Sequence, residues 1–406
     1  MNLRKALAAA CVAAMCAAAV QARQAEHQII ISSPAGARAD CPIAIDLLEA
    51  EPEMYVRSAV VFCEGKEIAV QLDDLDGDGR NDELAFVVDV PAVGQTVCDL
   101  TLSDEASQKE YPRRVRAYIK LYDEKAKHPQ VKSVTYPGDA DLLDMYNSIY
   151  GHGAVFESEK AAFRIYMDNR QSIDLYGKTA YRLEMDSTGF YTTSQQLAEG
   201  YGCDILWAGK SVGAGSFRGL RGEEPCYIDT VAWRRQTVLA DGPVRAVIEV
   251  ADGGWIYNGR KINMVQRYTL YANRRDVRVE IEIRGALSGT LFCTGVQKLE
   301  YDSEGFASDG GLCACWGDNV PEKGEPDHHE RVGLGLYAET ANRAGVKEDA
   351  NNYLTLLRPD ADGRIRYYVA VCAEREAEGF KSSDAWFDYL RGWQSELQAP
   401  CAVVVK

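Results

Sequence analysis

Val277, Val279, Ile281 and Ile283 alternate with Arg278, Glu280, Glu282 and Arg284. Successive side chains of a strand point to opposite faces, so this two-residue period demands a strand with one face buried and one wet. Ile262 to Ala272, Val244 to Val250, Tyr353 to Arg358 and Arg366 to Ala373 read likewise. Half-buried strands of this kind belong to antiparallel sheets, so the chain is mostly β. Residues 28–104 are a run of short apolar strands with turn signals and read as a small β-sandwich over residues 23–104. The charged stretch 105–140 reads as a connector, and 141–406 as a large antiparallel β domain with few helices. Leu142 to Tyr150 and Ser194 to Glu199 are helix candidates. Ser383 is placed to cap a third, whose Trp386, Phe387, Leu390, Trp393 and Leu397 share a core-facing stripe. Asp360-Ala361-Asp362-Gly363 reads as a hairpin turn.

The stretch Asp74-Leu75-Asp76-Gly77-Asp78-Gly79-Arg80-Asn81-Asp82 carries aspartates at alternate positions, then Asp82. On a tightly curled loop these carboxylates converge, which suits Ca²⁺ and its six to eight oxygen ligands. Asp74, Asp76, Asp78, the Arg80 carbonyl and Asp82 are the expected ligands. The twelfth position of an EF-hand would be a bidentate glutamate; here it is Ala85, and both flanks read as strands. The expectation is therefore a structural calcium loop between two strands, against the alternative of an ion-free Asp-Gly hairpin.

Met1 to Lys5 is basic, Ala6 to Val20 is apolar but too short to span a bilayer, and Val20-Gln21-Ala22 fits a small-x-small cleavage rule. Residues 1–22 read as a signal peptide, which implies export to the periplasm. Met15 before Cys16 argues against a lipid anchor. The formal charge of −16 disfavours nucleic acid and anionic membranes as partners. Two of the twelve cysteines leave with the leader; the rest include no CxxC pair and read mostly as buried thiols, with Cys313 and Cys315 on one face of a strand.

Several motifs fail. Gly209-Lys210-Ser211 lacks the upstream glycine of a phosphate loop. Gly213, Gly215 and Gly219 miss dinucleotide spacing, and GxSxG and HExxH are absent. Asp327-His328-His329-Glu330 reads as an exposed loop. The richest polar segment runs from Tyr150 to Lys178. Gly151 and Gly153 free the backbone around His152, while Arg164, Tyr166 and Asp168 would share one face of a strand. Trp207 and Lys210, Arg218, Arg267 and Trp316 form further clusters. Tryptophan beside charged groups suits a saccharide, because the ring covers the apolar sugar face while polar groups take hydroxyls.

Gln71 to Asp74 through Asp82 to Leu84, Gly151-His152-Gly153 through Tyr176-Gly177-Lys178, Asp204 to Trp207, and Arg267 to Tyr271 with Arg275 to Arg278 resemble the secreted bacterial family filed as domain of unknown function 4861. The resemblance covers nearly the whole chain after the leader. It implies export and a glycan-utilisation setting, and supplies no catalytic residues. The larger domain is also similar to the β-supersandwich of sugar mutarotases and polysaccharide lyases, a likeness of fold. Three functions fit. A lyase acting on uronic-acid glycans would use His152 as base, Tyr166 as acid, and Arg164, Arg170 or Arg218 against the sugar carboxylate. A mutarotase or epimerase would use His152 as acid and Glu157 as base. A glycan-binding protein would use the same cleft without chemistry, with Arg170, Trp207, Lys210, Arg218, Arg267 and Trp316 holding an oligo- or polysaccharide. Hydrolysis by Glu157 and Asp168 is a minor fourth reading.

Overall fold

The computed structural model describes residues 22–285, 289–322 and 326–406. The leader read over residues 1–22 lies outside these residues apart from Ala22. The described chain is mostly β, built from antiparallel sheets.

A five-stranded and a three-stranded sheet enclose one core, made by Ile29, Ile31, Ile43, Ile45, Val61, Leu84, Phe86, Leu100 and Leu102. Strand Arg38–Asp46 shows why: its inward residues alternate with exposed ones, as a two-sided sandwich layer requires. Cys63 and Cys98 face each other across the pair Ser58–Cys63 and Thr96–Ser103 and form a disulfide. The edge strand of the five-stranded sheet is Ala402–Val405, from the far end of the chain, paired with Gln24–Ser32.

The remaining strands form a nine-stranded sheet backed by six- and five-stranded sheets. Val277, Val279, Ile281 and Ile283 turn into the shared core, against Phe156, Phe163 and Leu175 of the six-stranded sheet and Phe292 and Leu357 of the five-stranded one. The opposite face of the nine-stranded sheet is covered by helix Ser383–Gln398 through Trp386, Phe387, Leu390 and Trp393. Its cap is Ser382, one residue before the expected position, whose hydroxyl accepts from the Ala385 N–H at 3.2 Å. Cys313 and Cys315 face the sheet–sheet core, while Ala314 and Trp316 face the helix.

The stretch 105–140 carries strands of the large sheets: Val115–Leu121 pairs with Ile149–Ser158, and Ser133–Pro137 with Trp233–Asp241. The Asp360–Gly363 turn differs from expectation. It joins Asn352–Leu357 of the five-stranded sheet to Arg364–Ala373 of the nine-stranded sheet, so it is a crossover between layers and not a hairpin. Two half-buried strands separated by a turn look alike in sequence whether they pair or part.

The small sandwich docks on the nine-stranded sheet through polar groups. Arg245 is 1% exposed; its Nε donates to Asp73 and its Nη1 to Glu83, both at 2.7 Å. The Gln71 side-chain oxygen accepts the Val244 and Arg245 N–H groups at 2.8 and 3.0 Å. Asp73 immediately precedes the aspartate loop, so this contact anchors the loop's root.

Candidate functional site

Strand Ile149–Ser158 bulges between Tyr150 and Val155 where it pairs with Val115–Leu121. A bulge re-aims side chains, and here it carries Gly151-His152-Gly153. Gly151 (φ +72°) and His152 (φ +68°) both lie in the left-handed region, which is strained for histidine. Glycine is required on either side. A Cβ on Gly151 would sit 1.8 Å from the Phe190 ring, and one on Gly153 would sit 1.9 Å from the Ile165 carbonyl oxygen.

This geometry orients the imidazole. His152 Nδ1 lies 2.7 Å from the Tyr146 carbonyl oxygen. A carbonyl only accepts, so Nδ1 carries the proton and the neutral ring keeps its lone pair on Nε2. Burial, then Arg164 and Arg170, hold the His152 pKa below its ordinary value, so the ring is neutral at neutral pH. The ring stacks on Tyr146 at 3.5 Å, and Tyr146 lies parallel to Tyr166 at 5.9 Å. Arg164 and Arg170 sit over the Tyr166 ring at 4.5 and 5.1 Å.

The neighbouring strands Ala162–Tyr166, Ile173–Gly177 and Cys203–Asp204 bring the charges together. Arg164 is opposite Asp174 in register and forms a buried ion pair with it. Its Nη2 also donates to the Tyr166 hydroxyl at 2.6 Å. Burial raises the Tyr166 pKa far beyond the ordinary phenol value, so Tyr166 holds its proton. Asp204, half-buried and opposite Tyr176, hydrogen-bonds to Asp174. Burial, then the charge of Asp174, push the Asp204 carboxyl well above the usual carboxylate range. The second cause is the neighbouring carboxylate: a second negative charge beside Asp174 is disfavoured, so the Asp204 carboxyl binds its proton more tightly than an ordinary carboxyl. Asp168 is bound by Arg170 through the Nε–H at 2.7 Å and through Nη2, which leaves Nη1 outside that pair.

Chemically, this arrangement can accept a proton at His152 Nε2 and can give one from Tyr166 or the Asp204 carboxyl. Asp204 was not singled out for a chemical role in the sequence, although its cluster was. Its partner is thirty positions away, and only the antiparallel pairing joins them.

Other expected residues fall elsewhere. Glu157 is fully buried. Its oxygens take the Lys178 ammonium at 2.5 Å and the Glu184 and Met185 N–H groups at 2.9 Å, so it is a structural anchor and cannot serve a substrate as base. Arg218 is 1% exposed, donates to the Phe217 carbonyl and the Ser172 hydroxyl, and lies in the core beyond a ligand's reach. Trp316 is 3% exposed beneath the helix and has no face left for a sugar. Arg267 donates to Glu249 at 3.2 Å and to the Leu75 carbonyl at 3.1 Å, tying the aspartate loop to the large sheet. Trp207 and Lys210 are exposed, three and six positions after Asp204; Gly209 turns beneath the indole with φ +54°. The Asp327–Glu330 segment is less exposed than its sequence implies. Glu330 is buried, bound by Arg375, and lies 2.8 Å from His328 Nε2 and 3.5 Å from Cys203 Sγ.

The aspartate loop joins the paired strands Val70–Asp73 and Glu83–Val90. One carboxylate oxygen each from Asp74, Asp76 and Asp78 lie within 4.8 Å of one another, a donor set that fits a hard cation. Asp74 accepts the Gly77 and Gly79 N–H groups at 2.7 and 3.0 Å. Asp82 stands apart from the converging three and closes the neck, accepting from Leu75 at 2.5 Å and Asp76 at 3.2 Å. The Arg80 guanidinium donates to the Pro52 and Met54 carbonyls.

The family described as "Domain of unknown function (DUF4861)" matches residues 31–403, and the chain belongs to it. No curated protein matches the chain. Two solved structures from Enterococcus faecalis share 9% identity with it: a protein in glycosyl hydrolase family 38 (TM-score 0.47) and an alpha-mannosidase (TM-score 0.48). The alignments cover 94% of this chain and 47% and 46% of those chains, so it spans about half their length. Among the described residues no helix is long and apolar enough to cross a membrane.

Proposed function

We propose that the His152 centre is the active site of an exported, periplasmic enzyme that breaks down uronic-acid saccharides by β-elimination. The observation that carries this reading is the His152 imidazole held on the bulge with Nδ1 on the Tyr146 carbonyl, in one cluster with the buried Arg164–Asp174 pair and the Tyr166 hydroxyl that Arg164 contacts. In the reaction His152 Nε2 takes the proton alpha to the sugar carboxylate. The electron pair forms the C4=C5 double bond, the C4–O bond breaks, and Asp204 or Tyr166 protonates the leaving oxygen. Arg170 Nη1 faces the sugar carboxylate as its charge grows. Trp207 and Lys210 extend the saccharide-binding surface. Anomer exchange with His152 as acid and Glu157 as base fits less well, because His152 is held neutral and Glu157 is locked. The test is a panel of uronic-acid polysaccharides and oligosaccharides, followed by near-ultraviolet absorbance and by NMR of the anomeric protons. An unsaturated product supports elimination. Faster anomer exchange without cleavage overturns it in favour of a mutarotase, and binding without either leaves a glycan-binding protein.

The aspartate loop is read as a structural Ca²⁺ site held by Asp74, Asp76 and Asp78, with the Arg80 carbonyl as a further donor and Asp82 shaping the loop. Its support is the convergence of three carboxylates beside a domain contact, since clustered carboxylates repel until neutralised.

A further inference from the structure

Cys41 and Cys401 lie 360 positions apart in sequence, yet their sulfurs are 3.3 Å apart. Cys41 lies where strand Arg38–Asp46 bulges, between Arg38 and Cys41, in its pairing with Glu83–Val90. Cys401 immediately precedes the edge strand Ala402–Val405. Both line a cavity of about 340 Å³ that also takes in Arg38, Arg274 and Pro400. We propose that these two thiols are a modification site: in the exported protein they are oxidised to a disulfide that fastens the last strand to the first domain. The proposal rests on the export reading, and is independent of the chemistry assigned to His152.

Small movements suffice to close the bond, because a disulfide brings sulfurs to about 2.05 Å and needs neighbouring backbones already at hand. Backbone proximity is enforced independently. Arg38 donates to the Ala399 carbonyl at 3.1 Å and pairs with Glu396 at 3.2 Å, pinning the end of helix Ser383–Gln398 beside Cys41. Cys401 is the more accessible sulfur, and Cys41 is nearly covered. The exchange runs accordingly. The Cys401 thiolate attacks a low-molecular-weight or protein disulfide and expels one thiolate. Cys41, giving up its proton to solvent, then attacks the mixed disulfide and expels the second. Two protein thiols are oxidised and one external disulfide is reduced to two thiols. The bond would join the two sheets of the small sandwich and hold an edge strand that pairs on one side only.

The test uses the purified chain in a series of oxidised and reduced glutathione buffers, alkylated and digested without reduction, and read by mass spectrometry. Cys63–Cys98 is the internal standard for oxidising conditions. A linked Cys41–Cys401 peptide pair, with a melting temperature several degrees above that of Cys401→Ser under the same conditions, is expected. Alkylated Cys41 and Cys401 while Cys63–Cys98 is linked would overturn the proposal. So would a stable glutathione adduct on Cys401. Loss of activity on saccharides in a separate assay would bear on the His152 reading alone.

Discussion

The aspartate loop and the His152 centre are both clusters of charge, built in opposite ways. The loop draws its donors from nine consecutive residues, Asp74 to Asp82, mostly near solvent. Its carboxylates are satisfied by backbone N–H groups of the same turn. The His152 centre collects Tyr146, His152, Arg164, Asp174 and Asp204 from five different secondary-structure elements, and its Arg164–Asp174 ion pair is buried. A local site can be built by a turn alone. A non-local one needs the sheets in register before any of its chemistry exists, so it is more sensitive to damage in the fold.

That contrast sets the expected sizes of effect. Asp174→Ala leaves the Arg164 guanidinium buried without its carboxylate, and breaking such a pair costs about 3–5 kcal/mol. Urea denaturation should show a loss of that order, against less than about 1 kcal/mol for Asp76→Asn in excess chelator. Equal losses would break the comparison. Gly153→Ala comes next, because its Cβ would collide with the Ile165 carbonyl. Overpacking of this kind costs about 1–3 kcal/mol, and the variant should also lose saccharide turnover through displacement of His152. Full activity in it would mean that the bulge does not aim the imidazole.

Removing calcium tests the other side. If the loop holds the ion at a hundredfold excess over its Kd, chelation lowers stability by about 2.7 kcal/mol. Calorimetry with and without chelator reads this directly, and an unchanged melting temperature argues against the site. The smallest effect concerns pH. The folded-state pKa of Asp204 is raised, so the unfolded chain releases this proton first, and its contribution to stability declines as pH rises above the ordinary carboxylate range. Asp204→Asn should flatten that decline. A wild-type slope persisting in the variant would place the retained proton elsewhere. Activity should rise as pH passes the lowered His152 pKa and fall again as Asp204, whose pKa is raised, loses its proton.

The same contrast explains what could be read before the structure. Period-two alternation marked the strands because each has one buried face, and the apolar stripe marked the last helix for the same reason. The aspartate loop was legible because its spacing is its geometry. Gly151-His152-Gly153 was legible because glycines on both sides of a histidine signal an unusual backbone. Arg218 and Trp316 were not, since a charged or aromatic residue looks the same in sequence whether it faces a cleft or a core. The Asp174–Asp204 pair is a product of register between Ile173–Gly177 and Cys203–Asp204, which no local pattern encodes.

The most direct measurement compares wild type and His152→Ala for near-ultraviolet absorbance on uronic-acid saccharides, with folding checked by circular dichroism. The account predicts an absorbance rise in wild type that falls by about 10²–10⁴-fold in a folded His152→Ala variant, the usual contribution of a general base. An undiminished rise in the variant would contradict the assignment of the base, and no rise in wild type on any acidic saccharide would contradict elimination itself.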